Sequence, residues 1–413
     1  MLKKDLKFLE LLIEKYNKTD KSDKIRYPLL EKGFTSEDVM RGIEVLLSRN
    51  ITMSNITKRF ELEFAKFVGS KFALMVNSGS SANLLAAFAL VNPKKKNRLK
   101  IGDKFLVPAT CWSTSLWPMI QCGLQPKFVD VNINTFCLDE NIIKAEKDKK
   151  VKAIMNIHIL GNSPNMNELT KFTKKNNIFL IEDTCEALGS KYKSKHLGTF
   201  GDFGTYSFYY SHQITSGEGG MVVCQNKEDF ELIHTLRAHG WDRGLNTSKK
   251  NNFNFINSGF NLRPMDITAA IGLNQFKRIN KMIKTRAYNR KIIIESLKKA
   301  DTWNNQIDFL QPNKKINPSW FGLPILIDKK FINKKQKYLD LLSKSGIETR
   351  PIISGNFLNQ PAAKLYNLNK KKEYFKNAEE IDKRGFFIGL HTSKINRSTV
   401  KLLTKKLLLI DKV

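Results

Sequence analysis

The feature that most constrains the fold of this chain is an alternation between short apolar runs and helix-like stretches from about residue 70 to residue 225. The helix patterns include Ser81–Val91 and Met166–Asn176. The apolar runs have the length and composition of buried strands, and they are Phe72–Val76, Phe105–Val107, Lys127–Val131, Ala153–Ile157, Ile178–Ile181, Tyr206–Tyr209 and Met221–Cys224. This β/α order predicts an α/β fold with a mostly parallel sheet covered on both faces. Functional side chains are then expected beyond the carboxyl ends of the strands.

The pattern changes in the last third of the chain. A long helix pattern at Arg263–Ile279 is followed by a further helix, a strand at Ser319–Ile327 and a helix at Lys334–Ser345. This order predicts a smaller C-terminal α+β domain. The expected organisation is an N-terminal extension at 1–25, a large domain at 26–284 and a small domain at 285–413.

The first residues predict an amphipathic helix and not a signal peptide. Lysines and glutamates run through the apolar stretch of residues 1–19, and one helix face carries Leu2, Leu6, Leu9 and Ile13. The sequence contains no run of about 18 apolar residues, the length that a membrane helix needs. We therefore expect a cytoplasmic protein.

The cysteines agree with that expectation. Cys111, Cys122, Cys137, Cys185 and Cys224 form no CxxC pair, and their wide spacing matches neither zinc nor iron–sulfur ligation. An odd number of cysteines in a large chain suits a reducing compartment. We expect no metal in this protein.

The net charge of +31 admits two interpretations. Many lysines and arginines can mark a nucleic-acid-binding protein, and the same charge also attracts any phosphorylated substrate. The basic residues lie in short, dispersed clusters without interleaved aromatic residues, such as Lys94–Lys96, Lys149–Lys150 and Lys370–Lys372. This dispersal favours a phosphorylated substrate, and we expect neither nucleic acid nor a membrane as a partner.

The first candidate motif is Asn77-Ser78-Gly79-Ser80-Ser81-Ala82-Asn83, which follows a predicted strand and opens a predicted helix. Free main-chain N–H groups and the helix dipole converge at such a point, an arrangement that suits a phosphate. A simple N-cap after a glycine turn would explain the same residues.

The second candidate is Phe179-Leu180-Ile181-Glu182-Asp183, followed by Thr184-Cys185-Glu186. A carboxylate at the end of a buried strand loses its hydration unless it meets a cation. Asp183 could keep a pyridine nitrogen protonated. The alternative is an aspartate that caps a helix.

The third candidate is the stretch Gly204–Ile214 with the glycine-rich Gly217-Glu218-Gly219-Gly220 after it. It delivers His212 into a turn of small residues, and a histidine near neutrality can take and return a proton. A lone histidine is more often structural, but the surrounding serines and glycines favour an open site.

The fourth candidate is the loop Ser258–Asp266, which precedes a predicted helix and contains Asn261 and Arg263. An ordinary loop with an N-terminal proline would explain it as well.

In order and spacing, these motifs together resemble the DegT/DnrJ/EryC1/StrS group of sugar aminotransferases and dehydratases. The resemblance runs from about Tyr27 to the end of the chain. It implies the type I aspartate-aminotransferase fold, with a mostly parallel seven-stranded sheet in a large cofactor-binding domain. It also implies pyridoxal 5'-phosphate and pyridoxamine 5'-phosphate as the forms of the cofactor.

The main departure from the family lies at His212. Typical members carry Ser-Phe-x-x-Thr-Lys, whose lysine bonds covalently to the cofactor, whereas this chain reads Ser207-Phe208-Tyr209-Tyr210-Ser211-His212. An imidazole cannot form that bond but can still move a proton. Within the group, a histidine here marks the 3-dehydratases of nucleotide-linked 4-keto-6-deoxyhexoses, in which glutamate regenerates the pyridoxamine form. The resemblance thus implies that His212 is the catalytic base, alone because Gln213 stands where relatives often carry a second histidine.

The stretch after Arg237 separates two branches of these dehydratases. The branch that acts on CDP sugars would carry several cysteines there for an iron–sulfur centre. In this chain Arg237–Arg243 leads into Lys249-Lys250-Asn251 without a cysteine. With Pro108-Ala109 and Arg350-Pro351-Ile352, this stretch resembles the iron-free branch that acts on GDP-4-keto-6-deoxymannose in colitose synthesis. The identity of the nucleotide stays open.

Carried over position by position, the resemblance implies a cofactor site. Trp112 would stack on the pyridine ring, Asp183 would pair with the ring nitrogen, and Glu186 would lie close to the phenolic oxygen. The phosphate would be held by Gly79, Ser80, Ser81 and Ser207.

The resemblance also implies residues for the substrates and for assembly. Asn261 would reach the phosphate from the neighbouring subunit, so the active unit would be a homodimer with shared sites. Arg263 would grip the carboxylate of glutamate in a bidentate fork. Arg350 could approach the sugar or its diphosphate.

Two other functions stay open at this point. One is a true sugar aminotransferase that forms a 4-amino product, and the other is a catalytically silent binding protein on the same scaffold. Fold alone does not separate them.

Overall fold

The computed structural model describes residues 3–19, 25–31, 33–52, 54–144, 146–245, 253–370 and 372–413. Within these ranges the helices are α1 (Lys3–Thr19), α2 (Ser36–Ser48), α3 (Asn55–Val68), α4 (Gly79–Val91), α5 (Ser113–Gln121), α6 (Glu140–Lys144), α7 (Met166–Asn176), α8 (Lys227–Arg237), α9 (Asp266–Phe276), α10 (Ile279–Lys298), α11 (Lys335–Lys344), α12 (Pro361–Leu365), α13 (Lys376–Arg384) and α14 (Arg397–Leu407). The strands are β1 (Phe72–Val76), β2 (Lys104–Pro108), β3 (Gln125–Val129), β4 (Val151–Ile157), β5 (Phe179–Asp183), β6 (Lys191–Tyr192), β7 (Lys195–His196), β8 (Phe203–Ser207), β9 (Gly220–Cys224), β10 (Ile307–Phe309), β11 (Ile316–Asn317), β12 (Gly322–Ile327), β13 (Thr349–Arg350) and β14 (Gly385–Gly389).

Seven of these strands form one large sheet in the order β1-β9-β8-β5-β4-β2-β3. Neighbours from β8 to β3 pair in parallel, and β9 runs antiparallel to both β1 and β8. Each apolar run of the sequence overlaps one of these strands, which confirms the predicted mostly parallel α/β sheet. The carboxyl ends of β1, β2, β5 and β8 therefore lie along one edge of the sheet.

The sheet is buried on both faces, and its helices follow from that burial. Helix α4 is apolar nearly all round because it lies between the sheet and the helices α5 and α8. A helix with no polar face is stable only when it is enclosed in this way. Its amino end consequently points at the edge where β1 and β8 end.

The bounds of β8 differ from the strand expected at Tyr206–Tyr209, which was misplaced. The strand begins at Phe203, and its second residue, Gly204, lies so close to Gly198 that an added Cβ would be 1.9 Å from the Gly198 carbonyl oxygen. A strand that starts with such small residues gives a weak apolar signal. Beyond Ser207 the chain leaves the sheet and enters the loop that carries His212.

The helix pattern expected over Arg263–Ile279 corresponds to α9, and the further helix expected after it is α10. Helix α9 begins at Asp266, whose carboxylate accepts hydrogen bonds from the main-chain N–H groups of Ser54 at 2.8 Å and Thr57 at 3.1 Å. A break after Phe276 separates α9 from α10.

The smaller C-terminal α+β domain is confirmed. Its antiparallel sheet has the order β10-β12-β14-β13. Strands β12 and β14 are buried throughout. The helix expected at Lys334–Ser345 is α11, and the strand expected from Ser319 begins at Gly322.

Residues 25–31, here called the Tyr27 segment, pack against this small domain. The Tyr27 hydroxyl donates to the Gly389 carbonyl at 3.0 Å, and its ring stacks on His391 with ring centres 4.2 Å apart. Shortly after the segment, the Gly33 carbonyl accepts from Gln275 on α9 at 2.7 Å. Between Tyr27 and Gly33 the chain thus passes from the small domain to helix α9 of the large domain.

The predicted N-terminal helix is present as α1 and lies against α2. Leu9 and Ile13 are half-buried on it, whereas Phe8 and Tyr16 are exposed. Leu2 lies outside the described residues. In the described part of the chain, no helix combines the length and hydropathy of a membrane span.

Candidate active site

The amino end of α4 forms the floor of the candidate site. Ser78 caps the helix: its hydroxyl oxygen accepts the Ser81 N–H at 3.1 Å. The N–H groups of Gly79 and Ser80 have no intrahelical acceptor, because they belong to the first turn. Such an end presents donors and a positive dipole to an anion.

Close packing of Gly79 joins this turn to the end of β8. A Cβ at Gly79 would lie 2.5 Å from the Ser207 Cβ and 3.1 Å from the Cys185 Sγ. A Cβ at Gly220 on β9 would lie 2.3 Å from the Ser78 carbonyl oxygen. Only glycines allow this approach, and it places the Ser207 hydroxyl beside the helix end. Together the predicted residues Gly79, Ser80, Ser81 and Ser207 form a cradle that fits a phosphate.

Asp183 lies at the carboxyl end of β5 and is 5% exposed. One carboxylate oxygen accepts from the Asn83 amide at 2.8 Å and the Ser115 hydroxyl at 2.7 Å, and the other accepts from the Cys185 N–H at 3.1 Å. These donors are neutral, and no basic side chain of the described residues pairs with it. A buried carboxylate held by neutral donors fits a protonated pyridine nitrogen.

Trp112 lies at the edge of the cradle. It immediately precedes α5, and its indole is 54% exposed. The Ser80 hydroxyl donates to the Thr114 hydroxyl at 3.1 Å, which joins the beginnings of α4 and α5. The flat apolar face of Trp112 is therefore available for a planar ring.

Glu186 lies close enough to Asp183 for the two charges to interact. Its carboxylate accepts the Leu160 N–H at 2.9 Å. Burial raises the pKa of Glu186 to about 7, with the Leu160 hydrogen bond opposing that rise and the charge of Asp183 adding to it. The Glu186 side chain consequently exchanges a proton near neutrality.

His212 lies in the turn that follows β8, half-buried. Its ring has edge-to-face contacts with Phe321 and Tyr209, with ring centres 5.1 Å and 5.9 Å apart. Its Nδ1 is buried, and no group of the described residues hydrogen-bonds to it. Burial lowers the pKa of His212 to about 3, and the positive charge of Arg286 acts in the same direction. The imidazole is uncharged at neutral pH and can accept a proton.

The turn is less open than the serines and glycines of the sequence suggested. Tyr209 and Tyr210 extend to the surface, while the imidazole folds back against Phe321 of the small domain. Gln213 is buried, and its amide donates to the carbonyls of Glu186 at 2.5 Å and Ser319 at 3.2 Å.

The structure does not bring Asn261, Arg263 and Arg350 into the cradle. The Arg263 Nε donates to the Asn261 side chain at 3.0 Å, and the intervening Leu262 carbonyl accepts the Asn77 N–H at 3.2 Å. Arg350 is exposed on β13 and donates to Glu348 at 3.1 Å. Among the described residues of one chain, these side chains make no hydrogen bond to the cradle. The stretch Lys249-Lys250-Asn251 lies outside the described residues.

Sequence reasoning missed several residues of the site. Asn83 and Ser115 hold Asp183, and Asn83 was detectable as an amide inside an otherwise apolar helix, where a polar group needs a partner. Arg286 was not detectable, because α10 carries basic residues throughout and nothing in its pattern shows which one is buried.

Comparisons with known proteins agree with the site. The DegT/DnrJ/EryC1/StrS aminotransferase family matches residues 34–407. The GDP-4-keto-6-deoxy-D-mannose 3-dehydratase of Escherichia coli O55:H7 is 37% identical over 378 residues, which are 89% of this chain and 96% of that protein.

Solved structures lead to the same family. The E. coli GDP-4-keto-6-deoxy-D-mannose-3-dehydratase with bound hydrated PLP superposes with a TM-score of 0.83 at 36% identity and covers 93% of this chain and 99% of that one. A GDP-4-keto-6-deoxymannose-3-dehydratase with a trapped PLP-glutamate geminal diamine superposes with a TM-score of 0.83 at 35% identity, over 92% of this chain and 100% of that one.

Proposed function

The chain belongs to the DegT/DnrJ/EryC1/StrS aminotransferase family, and we propose that within it the protein is a 3-dehydratase of a nucleotide-linked 4-keto-6-deoxyhexose. The sugar nucleotide is GDP-4-keto-6-deoxymannose, the compound for which its E. coli relative is named. Glutamate is the second substrate, in agreement with the PLP-glutamate geminal diamine trapped in a solved relative. The observation that carries this proposal is His212, an uncharged base where aminotransferases of the family carry their covalent lysine.

The cofactor is pyridoxal 5'-phosphate in its pyridoxamine form, which supplies an amine for the C4 ketone of the sugar and a ring that withdraws electrons. The cradle formed by Gly79, Ser80, Ser81 and Ser207 binds its phosphate. Asp183 keeps the ring nitrogen protonated, and Trp112 stacks on the ring. Since no lysine stands at position 212, the cofactor is held by these contacts without a covalent bond.

His212 moves the proton on which the reaction depends. Its neutral imidazole takes a proton from C4′ of the cofactor. The imidazolium that results can protonate the hydroxyl group at C3 of the sugar as that group leaves. The fold keeps Phe321 and Tyr209 against the ring, which limits its rotation. Glu186, with a pKa near 7, can share a proton with the phenolic oxygen of the cofactor.

The direct test uses the purified protein with pyridoxamine phosphate, glutamate and either GDP- or CDP-linked 4-keto-6-deoxy sugar. Mass spectrometry should show the loss of one hydroxyl oxygen from the GDP sugar. His212→Asn should lower the rate by about 10²–10⁴-fold, the usual contribution of a general base, while the cofactor still binds. His196→Asn, at a histidine of β7 whose ring packs on Phe67, is the matched control and should not change the rate. A 4-amino sugar as the product would identify an aminotransferase instead.

We also propose that the active unit is a homodimer with shared sites. The Asn261 and Arg263 side chains hydrogen-bond to each other and, among the described residues of one chain, not to the cradle, so the subunit whose site they serve is the partner. Arg263 then binds the glutamate carboxylate and Asn261 the cofactor phosphate. Arg350 is proposed to approach the sugar nucleotide.

A mixing experiment tests the shared site. Arg263→Ala and His212→Asn should each be inactive alone. Refolded together, they should form hybrid dimers in which one of the two sites has both residues, so about a quarter of the wild-type rate should return after statistical mixing. If mixing restores no activity although hybrid dimers form, the sharing of sites is wrong.

A further inference from the structure

A buried arginine stands behind the proposed base. Arg286 lies on α10 and is 2% exposed, and no carboxylate of the described residues forms an ion pair with it. Taking a guanidinium out of water without an anion is costly. Burial correspondingly lowers the pKa of Arg286 to about 10. The cost of burying Arg286 suggests that this side chain has a role in the candidate active site, which it borders.

The contacts of Arg286 lead to the turn that carries His212. One terminal nitrogen donates to the His212 carbonyl at 3.3 Å, and the other donates to the Trp320 carbonyl at 3.5 Å. Trp320 precedes Phe321, whose ring packs against the imidazole. A single guanidinium therefore holds both the main chain of the base and the segment that supports its ring.

The charge of Arg286 also acts on the imidazole. Among the described residues, the titratable Tyr209 phenol ring also contacts the His212 ring. His391, whose Nδ1 lies 3.9 Å from the Glu31 carboxylate, is close enough for the charge of Arg286 to act on it. No carboxylate among the described residues forms an ion pair with Arg286 or His212, so the positive charge of Arg286 reaches the imidazole uncompensated. An imidazole beside an unpaired cation favours its neutral form.

We propose that Arg286 is a positioning residue for proton transfer by His212, because its guanidinium holds both the main chain of the base and the segment that supports the imidazole ring. This inference rests on the proposed function and adds to it a residue that does not touch the substrate.

The test compares three variants. Arg286→Met keeps much of the volume but removes the charge and both hydrogen bonds. Arg286→Lys keeps the charge and loses the fork that reaches two carbonyls. Arg290→Met is the comparison variant, because Arg290 is a further desolvated arginine of α10 that donates to the Leu310 carbonyl and stacks on the Trp320 ring at 4.2 Å. It therefore separates support of Trp320 from the hydrogen bond that Arg286 makes to the His212 main chain.

The first readout is the protonation of His212 itself, followed by NMR on protein with ¹³C-labelled histidine. The chain has six histidines, and His212→Asn identifies the signal. At pH 5 the protonated fraction should be about tenfold larger in Arg286→Met than in the wild type, the effect of one pKa unit. It should be unchanged in Arg286→Lys and Arg290→Met. This measurement needs no turnover, so it stands even if the proposed reaction is wrong.

The second readout is the dehydration rate. Arg286→Met should lower kcat roughly tenfold with KM unchanged and move the acid limb of the pH profile upward, whereas Arg286→Lys should lower kcat without moving that limb. Equal protonation in Arg286→Met and the wild type, or equal effects in Arg290→Met, would overturn the proposal. If Arg286→Met does not fold, Arg286→Gln replaces it in both comparisons.

Discussion

Glu186 shows how burial, together with a charged neighbour, can make a single carboxylate respond to pH near neutrality. Its pKa is raised from 4.5 to about 7 by loss of solvent. Between these two values the folded chain binds more protons at this site than the unfolded chain. The contribution of Glu186 to stability is therefore fully present below about pH 4.5 and is lost as the pH rises through 7.

Replacing the carboxylate by an amide should remove that loss. Glu186→Gln keeps an oxygen for the Leu160 N–H but has no charge to bury. In the cofactor-free protein it should match the wild type at pH 5 and be more stable by roughly 1–3 kcal/mol at pH 8, measured by urea unfolding. Glu295→Gln, at an exposed position, should show no such pH dependence. An equal effect of Glu186→Gln at both pH values would contradict the assignment.

At the scale of single residues, the sequence predicted those that follow strands and missed those that support them. Asp183 and Ser207 terminate strands, and His212 follows one, so their position along the chain indicates their position in the site. Asn83, Ser115 and Arg286 act through partners more than 65 residues away in the chain. No local pattern encodes such pairings.

At the scale of elements, the contact between the start of α4 and the end of β8 decides the shape of the phosphate cradle. That contact exists because Gly79 lacks a side chain. The amino end of α4 can approach Ser207 only while position 79 has no side-chain atom between them.

Gly79→Ala should therefore weaken cofactor binding more than it weakens the fold. Its Cβ would be 2.5 Å from the Ser207 Cβ, which forces the helix end and the serine apart. We expect the dissociation constant of pyridoxal phosphate to rise roughly tenfold or more, equivalent to about 1.4 kcal/mol, in a fluorescence titration. In Gly42→Ala the new Cβ would meet Ile271 at an ordinary 3.4 Å, so this control should bind normally. Unchanged affinity in Gly79→Ala would contradict the claim that the contact between Gly79 and Ser207 shapes the cofactor site.

The elements themselves were predictable where apolar periodicity is uninterrupted, as in β1 and α7, whose observed bounds equal the predicted ones. The elements were not predictable where small or polar residues are buried. The strand β8 begins with Phe203-Gly204-Thr205, and its burial follows from contacts with β5 and β9 that a linear pattern does not contain.

At the scale of the whole molecule, several histidines are buried in the uncharged form. Burial lowers the pKa of His196 and of His234 to about 4, with Lys191 adding to the effect at His196 and Arg237 at His234. In this case the unfolded chain binds more protons, so the stability contributed by each histidine is present above about pH 6.5 and is lost as the pH falls toward 4. The pH dependence of this stability contribution is opposite to that of Glu186.

His234→Gln should accordingly make the protein less sensitive to acid. Relative to the wild type, its free energy of unfolding should improve by roughly 1–2 kcal/mol between pH 7 and pH 5. His239→Gln, at an exposed position, should leave the difference from the wild type constant. The comparison is made by urea unfolding at the two pH values, and a His234→Gln effect without pH dependence would refute it.

The Tyr27 segment has a consequence for how the chain acquires this structure. The Tyr27 hydroxyl pairs with a carbonyl 362 residues further along, and His391 closes on Pro28 over nearly the same span. During synthesis Tyr27 cannot make this hydrogen bond until the 362 residues that separate it from Gly389 have been made. Contacts between such distant residues are slow to form. The contacts of the Tyr27 segment are therefore expected to form late in the folding of this chain.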